Sequence, residues 1–493
     1  MSTRLRYMGL AVAAAVTLAP IVGGPGNSAG ATKSAVAPRQ TAAGTPGPGT
    51  TPGPVGHWEG AIQLFGTDLE MRVDITRAAD TLAGSIDIPR QGATRLPLRR
   101  VRTRGDSVSF ELPTGNGLAS FAGLQRADTI AGTFHQSGIT STFRVVRGVV
   151  AVVPLEPVVP YAREEVSYKN ADAVIAGTLT HPKTGGPFPA ALLITGSGSQ
   201  DRDETILGFK PFKLIADRLS RDGVAVLRVD DRGIGGSTGD PERATSADLA
   251  GDVRAGVAYL AGRRDIDRKR IGLIGHSEGG IIAPMVAVES KDVAFIVMMA
   301  GLGVKGDTLL LAQSALIMHA NGASDSAIAA NQKIQRLGFS SARTGRNWEI
   351  VRAAVLETVR GQLTGTDPLQ TGIDVDEFAR TRADAQVALM KSPWMRFFID
   401  YDPIPTLMRV TCPVLAMFAE QDLQVPPALN RPPIEAALAG NRDARVVVIP
   451  DANHLFQPTT SGNPALYGSL PPEFAPGVLD TLSAWITTRF VKR

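Results

Sequence analysis

An apolar run, Arg270-Ile271-Gly272-Leu273-Ile274, leads directly into Gly275-His276-Ser277-Glu278-Gly279-Gly280 and then into a small-residue stretch ending at Val288. Few folds accept that order. It predicts a buried strand, a sharp turn and a helix, with Ser277 at the apex of the turn. Gly275 and Gly279, two positions to either side, have no side chains to obstruct so tight a bend. The serine hydroxyl is then lifted above the end of the sheet, beside the unpaired N–H groups of the new helix. Glycine–serine turns are common by chance, so the strand before and the helix after are what mark Ser277 as a candidate nucleophile.

The surroundings have the rhythm such an elbow requires. From Pro160 onward, buried strand candidates at 190–195, 224–229, 270–274, 294–299, 413–418 and 445–449 alternate with helical stretches such as 247–262 and 476–490. That alternation predicts a doubly wound, mostly parallel sheet covered on both faces. The stretch 166–180 should supply antiparallel edge strands. One interval breaks the pattern: between Gly301 and Pro413 the periodicity is helical, with helices expected over 308–320, 326–337, 348–363 and 375–390. An insertion at this point of an α/β sheet predicts a helical cap, at about 303–400, over the site. Leu309, Leu316, Ile317 and Met318 are candidates to line an acyl pocket, or simply to pack the cap.

A chain of 493 residues exceeds one compact core, and the N-terminal third reads differently. From Val55 to about Val153 short alternating runs such as Leu69-Glu70-Met71-Arg72-Val73 are broken by glycine turns, which predicts a small all-β barrel or sandwich. Residues 32–54, dominated by Ala, Thr, Gly and Pro, read as a disordered linker. Residues 1–31 have the pattern of a signal peptide: Arg4 and Arg6, an apolar stretch from Met8 to Val22, and Ala29-Gly30-Ala31 for cleavage. That apolar stretch is too short for a bilayer span, and the only cysteine, Cys412, is far away, so no lipid attachment and no stable membrane anchor is expected. The expected location is therefore exported, periplasmic or extracellular. The formal net charge is +4, and removing Arg4 and Arg6 leaves +2, too little to argue for nucleic acid. Oligomeric state is left open.

A serine hydroxyl needs a base, an orienting acid and an oxyanion site. There are six histidines. His57 and His135 precede the α/β unit and are expected on the surface or in turns rather than on a metal. His276 belongs to the bend and should point away from its neighbour; His181 and His319 fall on a turn and a cap helix. His454 remains, at the end of a short polar loop after the strand Val446-Val447-Val448-Ile449. The acid is expected at Asp422, after the strand Val414–Phe418, with Glu420 and Asp451 as competitors. The loop Thr195-Gly196-Ser197-Gly198-Ser199 should bring a backbone N–H to the oxyanion, from Ser197 or else Gly198, with Glu278 N–H as the second donor. The Glu278 carboxylate has a structural reason at a helix start, and a functional alternative in gripping a substrate ammonium.

Several motifs together resemble one known family. Gly196-Ser197-Gly198-Ser199-Gln200-Asp201-Arg202-Asp203-Glu204, Arg228-Val229-Asp230-Asp231-Arg232-Gly233, Gly275-His276-Ser277-Glu278-Gly279-Gly280, Asp422-Leu423-Gln424-Val425-Pro426 and His454-Leu455-Phe456-Gln457 are similar, in order, to those of bacterial EstD-like carboxylesterases of the α/β-hydrolase superfamily. The resemblance spans roughly 160–490. It implies an α/β-hydrolase fold, a small-molecule ester substrate, short acyl chains, no metal or organic cofactor, and a triad on Ser277, Asp422 and His454. Two departures, Phe418-Ala419 before the acid loop and Glu278 after the serine, bear on pocket shape. A serine peptidase or aminopeptidase on the same fold, and a non-catalytic binding protein, are the alternatives.

Overall fold

The computed structural model describes residues 53–64, 67–78, 81–89, 93–114, 117–148, 158–363 and 374–491. The expected leader and nearly all of the 32–54 linker lie outside the described residues.

The N-terminal module is a nine-stranded antiparallel meander from β1 (Gly56–Leu64) to β9 (Ile139–Arg147). β1 also pairs with β9, Trp58 lying opposite Arg147. The two edge strands, β4 (Ala93–Pro97) and β5 (Arg99–Arg104), are consecutive in sequence. Between them Leu98 donates its N–H to the Gly84 carbonyl of β3 (Thr81–Ile88), so the sheet curls into a barrel. Alternate residues point inward, as the period-2 pattern dictates: Trp58, Met71, Val73, Phe110, Phe121 and Phe143 form one enclosed core. His57 and His135 sit on strands β1 and β8 (Thr129–Gln136) rather than in turns, because polar partners hold them there. His57 lies 2.7 Å from Asp74 and 3.1 Å from Glu59, and His135 lies 2.9 Å from Thr140. The turn after β8 reaches the second unit, where the Gly138 carbonyl accepts the Asp374 N–H at 2.6 Å.

That second unit is built on an eight-stranded sheet: β10 (Tyr161–Asn170), β11 (Ala173–Pro182), β12 (Phe188–Ile194), β13 (Ala225–Val229), β14 (Ile266–His276), β15 (Val293–Met299), β16 (Val414–Ala419) and β17 (Ala444–Ile449). Their order is β10-β11-β13-β12-β14-β15-β16-β17. β11 runs antiparallel to both neighbours and the rest are parallel. Consecutive residues serve opposite faces. Leu193, Val226, Val297 and Leu415 pack on one side with α1 (Pro211–Arg221) and the last helix, 478–490. Leu192, Leu227, Ile296 and Ala416 pack on the other with α2 (Ser246–Ala261) and α3 (Gly279–Ala287). β14 begins four residues earlier than the apolar run suggests, because Ile266 pairs with Phe188 ahead of the charged Asp267-Arg268-Lys269.

Between β15 and β16 stands the cap: α4 (Gly306–Ala320), α5 (Asp325–Thr344), α6 (Trp348–Gln362), α7 (Val375–Lys391), α8 (Pro393–Asp400) and the short α9 (Ile404–Leu407). α6 and α7 bury Val351, Val355, Val359, Ala379, Ala383 and Val387 against each other. α5 runs past the expected stop at Leu337. Gly338 is a close-packing position there, since a Cβ on it would lie 2.3 Å from Met390 Sδ. The helix instead ends at Gly345, whose φ of 73° is the left-handed cap conformation. Leu309, Ile317 and Met318 are buried as cap packing requires, whereas Leu316 faces solvent.

Candidate active site

β14 ends at His276 and α3 starts at Gly279, so Ser277 occupies the bend with φ at +53°. A non-glycine residue in that region costs about 1–2 kcal/mol. The bend is held by the Ser277 N–H, which donates to the Met299 carbonyl at 2.8 Å, and by backbone contact. A Cβ on Gly275 would lie 1.9 Å from the Gly279 carbonyl oxygen, and one on Gly279 would lie 2.3 Å from that of Ile194. Gly275→Ala is therefore expected to abolish soluble, cooperatively folding protein, as read by expression and thermal unfolding. A variant with the parent's melting temperature and activity would contradict the elbow's geometry.

His454 and Asp422 are brought together. Both are buried, and His454 Nδ1 lies 2.8 Å from Asp422 Oδ2. The other carboxylate oxygen accepts the N–H groups of Gln424 at 2.7 Å and Val425 at 2.8 Å, which fixes the carboxylate's rotation. Its competitors are placed elsewhere: Glu420 is exposed and accepts the Asp451 N–H, and Asp451 is itself exposed. The Ser277 hydroxyl makes no hydrogen bond among the described residues. Its neighbour His276 nevertheless ties the bend to the histidine loop. The His276 and His454 ring centroids are 4.8 Å apart, and His276 Nε2 lies 3.0 Å from the His454 carbonyl oxygen.

The loop after β12 lies against the serine: a Cβ on Gly196 would fall 3.3 Å from the Ser277 Cβ. That places Ser197 next in the chain to a residue touching the bend, with Gly198 following at a φ of 97°. Two carboxylates anchor this loop. Asp231 accepts from Thr195 Oγ1 and from the Gln200 N–H, both at 2.8 Å. Burial pushes its carboxyl well above the usual range, against those hydrogen bonds. Glu204 Oε1 accepts the Gly196 N–H at 2.6 Å and faces His276 Nδ1 at 2.8 Å. Burial alone would lower the His276 pKa, but the charge and hydrogen bond of Glu204 outweigh it and hold the ring above its ordinary value.

Glu278 is turned inward, not toward a substrate ammonium. It is 1% exposed, and its Oε1 accepts from Ser246 Oγ at 2.5 Å and Trp394 Nε1 at 2.8 Å. Burial raises its carboxyl above the usual range. Trp394 belongs to α8, so this bond pins the cap to the residue following the serine. No local sequence pattern assigns a role to Glu204, His276 or Trp394. The Asp-Arg-Asp-Glu run after the glycine loop was the available signal for Glu204 alone.

A second grouping, Glu164, His181 and Asp265, has ligand-type atoms within 4.8 Å of one another. Arg263 stands between its carboxylates, 3.0 Å from Glu164 and 2.7 Å from Asp265, so the cationic place is already filled by a guanidinium. His181 closes strand β11 instead of lying in a turn, because Glu164 across the ladder bonds it at 3.0 Å.

A family model described as the alpha/beta hydrolase family matches residues 191–461, more than half of the chain. The chain belongs to the alpha/beta-hydrolase family. Esterase EstD of Thermotoga maritima is 26% identical over 360 residues, covering 72% of this hydrolase and 73% of EstD. The resemblance to EstD-like esterases read from the motifs is borne out by that alignment. An uncharacterized Mycobacterium tuberculosis protein, Rv2307c, is 31% identical over 144 residues, 29% of this hydrolase and 48% of that protein. Among solved structures, the Pyrococcus furiosus esterase Pf2001 is 14% identical with a TM-score of 0.40, covering 67% of this chain and 92% of that one. The strand order, the helices on both faces, the helical cap and the preceding all-β unit are those of an alpha/beta hydrolase with an added N-terminal module.

Proposed function

We propose that this hydrolase is an exported serine esterase that cleaves carboxylic esters of short acyl chains through an acyl-enzyme intermediate. The observation that carries the reading is the buried Asp422–His454 hydrogen bond, whose histidine is tied through its backbone carbonyl to His276, the residue before Ser277 on a strand-to-helix elbow. Similarity to Esterase EstD supports an ester as substrate. Ser277 Oγ attacks the ester carbonyl while His454 Nε2 takes its proton. Asp422 accepts the Nδ1–H, fixes the ring's tautomer and stabilises the imidazolium. The N–H groups of Ser197 and Glu278 hold the oxyanion as it forms. His454 then returns the proton to the departing alcohol, and water, deprotonated by the same ring, releases the acid. The sequence of residues 1–31 supports export. Among the described residues no helix is long and apolar enough to cross a membrane.

A fluorophosphonate probe is expected to form one covalent adduct, at Ser277, located by peptide mass spectrometry. The same preparation should turn over p-nitrophenyl acetate and butyrate far faster than aminoacyl-anilides. Absence of the adduct would point to a non-catalytic binding protein, and rapid anilide cleavage to a peptidase.

A further inference from the structure

We infer that Glu204 and His276 form a positioning pair that locks the oxyanion loop and the catalytic-histidine loop to the nucleophile's elbow. The inference rests on the serine-esterase reading of the same site and adds two residues to it.

The geometry is a three-way staple. His276 is the last residue of β14, covalently next to Ser277. Its Nε2 faces the His454 backbone carbonyl at 3.0 Å, and its Nδ1 faces Glu204 Oε1 at 2.8 Å. That same oxygen accepts the Gly196 N–H at 2.6 Å, one residue before the proposed oxyanion donor Ser197. Three chain segments from different strands thus meet on two side chains, which are 1% and 5% exposed.

Proton accounting shows why these two residue types are needed. A carbonyl only accepts, so Nε2 must carry hydrogen. One further proton must then lie between Oε1 and Nδ1, while Oε1 still accepts from Gly196. A carboxyl–imidazole pair supplies that proton from either side. An amide in place of the carboxyl cannot. If its oxygen faces Gly196 and the ring, a neutral ring must move its proton to Nδ1 and lose the bond to His454. If its NH2 faces the ring, it also confronts the Gly196 N–H.

Two further observations point away from ordinary core filling. Glu204 holds a left-handed φ of 51°, maintained by Asp201, whose carbonyl accepts the Glu204 N–H at 2.9 Å and whose carboxylate accepts that of Thr205, also at 2.9 Å. Its Oε2 is buried with no hydrogen-bond partner. A backbone strained in this way and a half-satisfied carboxyl are the signature of a side chain aimed at one place.

The test uses the full chain with p-nitrophenyl butyrate, counting competent sites by fluorophosphonate titration. Glu204→Gln is expected to lower kcat per titrated site by about a hundredfold, the scale of a misplaced reacting group. KM should stay within about threefold. His276→Ala should match it, and the double variant should be no worse than either single one, because the pair acts as a unit. His276→Gln, which returns an N–H donor toward the His454 carbonyl, should recover about tenfold relative to His276→Leu. Packing alone would lower the fraction of titratable sites and the melting temperature, leaving kcat per site unchanged. That result in Glu204→Gln, or equal rates in the Gln and Leu variants, overturns the pair while Ser277 still labels. Should the parent protein fail to label at Ser277, the esterase reading falls and the pair falls with it.

Discussion

Ser277→Ala is expected to reduce turnover of p-nitrophenyl butyrate by about 10⁵–10⁶-fold with the melting transition unchanged. That factor corresponds to about 7–8 kcal/mol of transition-state stabilisation. The fold should tolerate the change. Alanine meets the same backbone strain at φ +53° that serine does, and the bond from residue 277 N–H to the Met299 carbonyl does not involve the side chain. What disappears is the proposed nucleophile, and no other hydroxyl is raised on the bend. The measurement is kcat against a folded control, with the assay limit set by contaminating hydrolases. Activity within tenfold of the parent would remove Ser277 from the mechanism.

Asp422→Asn is expected to cost about 10⁴-fold in kcat, and His454→Gln at least as much. The structure gives the asparagine effect a specific cause. Asp422 Oδ1 accepts two backbone N–H groups, from Gln424 and Val425. In the asparagine variant these donors hold the side-chain oxygen at that position, so the NH2 group must face His454 Nδ1. The ring then keeps its proton on Nε2, the atom that should be free to take the serine's proton. KM for the ester should change little, because Asp422 is buried and out of contact with solvent. Glu420→Gln, at an exposed position, should leave kcat within about threefold. If the large loss appeared at Glu420 instead, the orienting acid would have to be reassigned.

The strand-end placement of the candidate residues is legible in the sequence. Ser277, Asp422 and His454 each follow an apolar run that becomes a buried or partly buried strand, and strand ends in a doubly wound sheet converge on one rim. The cap was readable as well, because its helices keep a helical period between β15 and β16. What stayed hidden depends on partners distant in sequence. His276 lies 72 residues from Glu204, and Trp394 lies 116 from Glu278, and no local pattern encodes such pairings. Glu278 was ambiguous because a carboxylate at a helix start looks alike whether its side chain turns outward or inward. Burial against Ser246 and Trp394 decides that, and burial is a tertiary property. Gly338 shows the same limit. A glycine late in a helix reads as a stop until the neighbouring Met390 reveals close packing.

The barrel's first and last strands are partners, with Trp58 across from Arg147. Its N- and C-terminal connections therefore emerge side by side, and none of its strands is shared with the catalytic sheet. A unit with that topology is a cassette: a single recombination event can bring it in, replace it or delete it without breaking a hydrogen bond of the sheet that carries the serine.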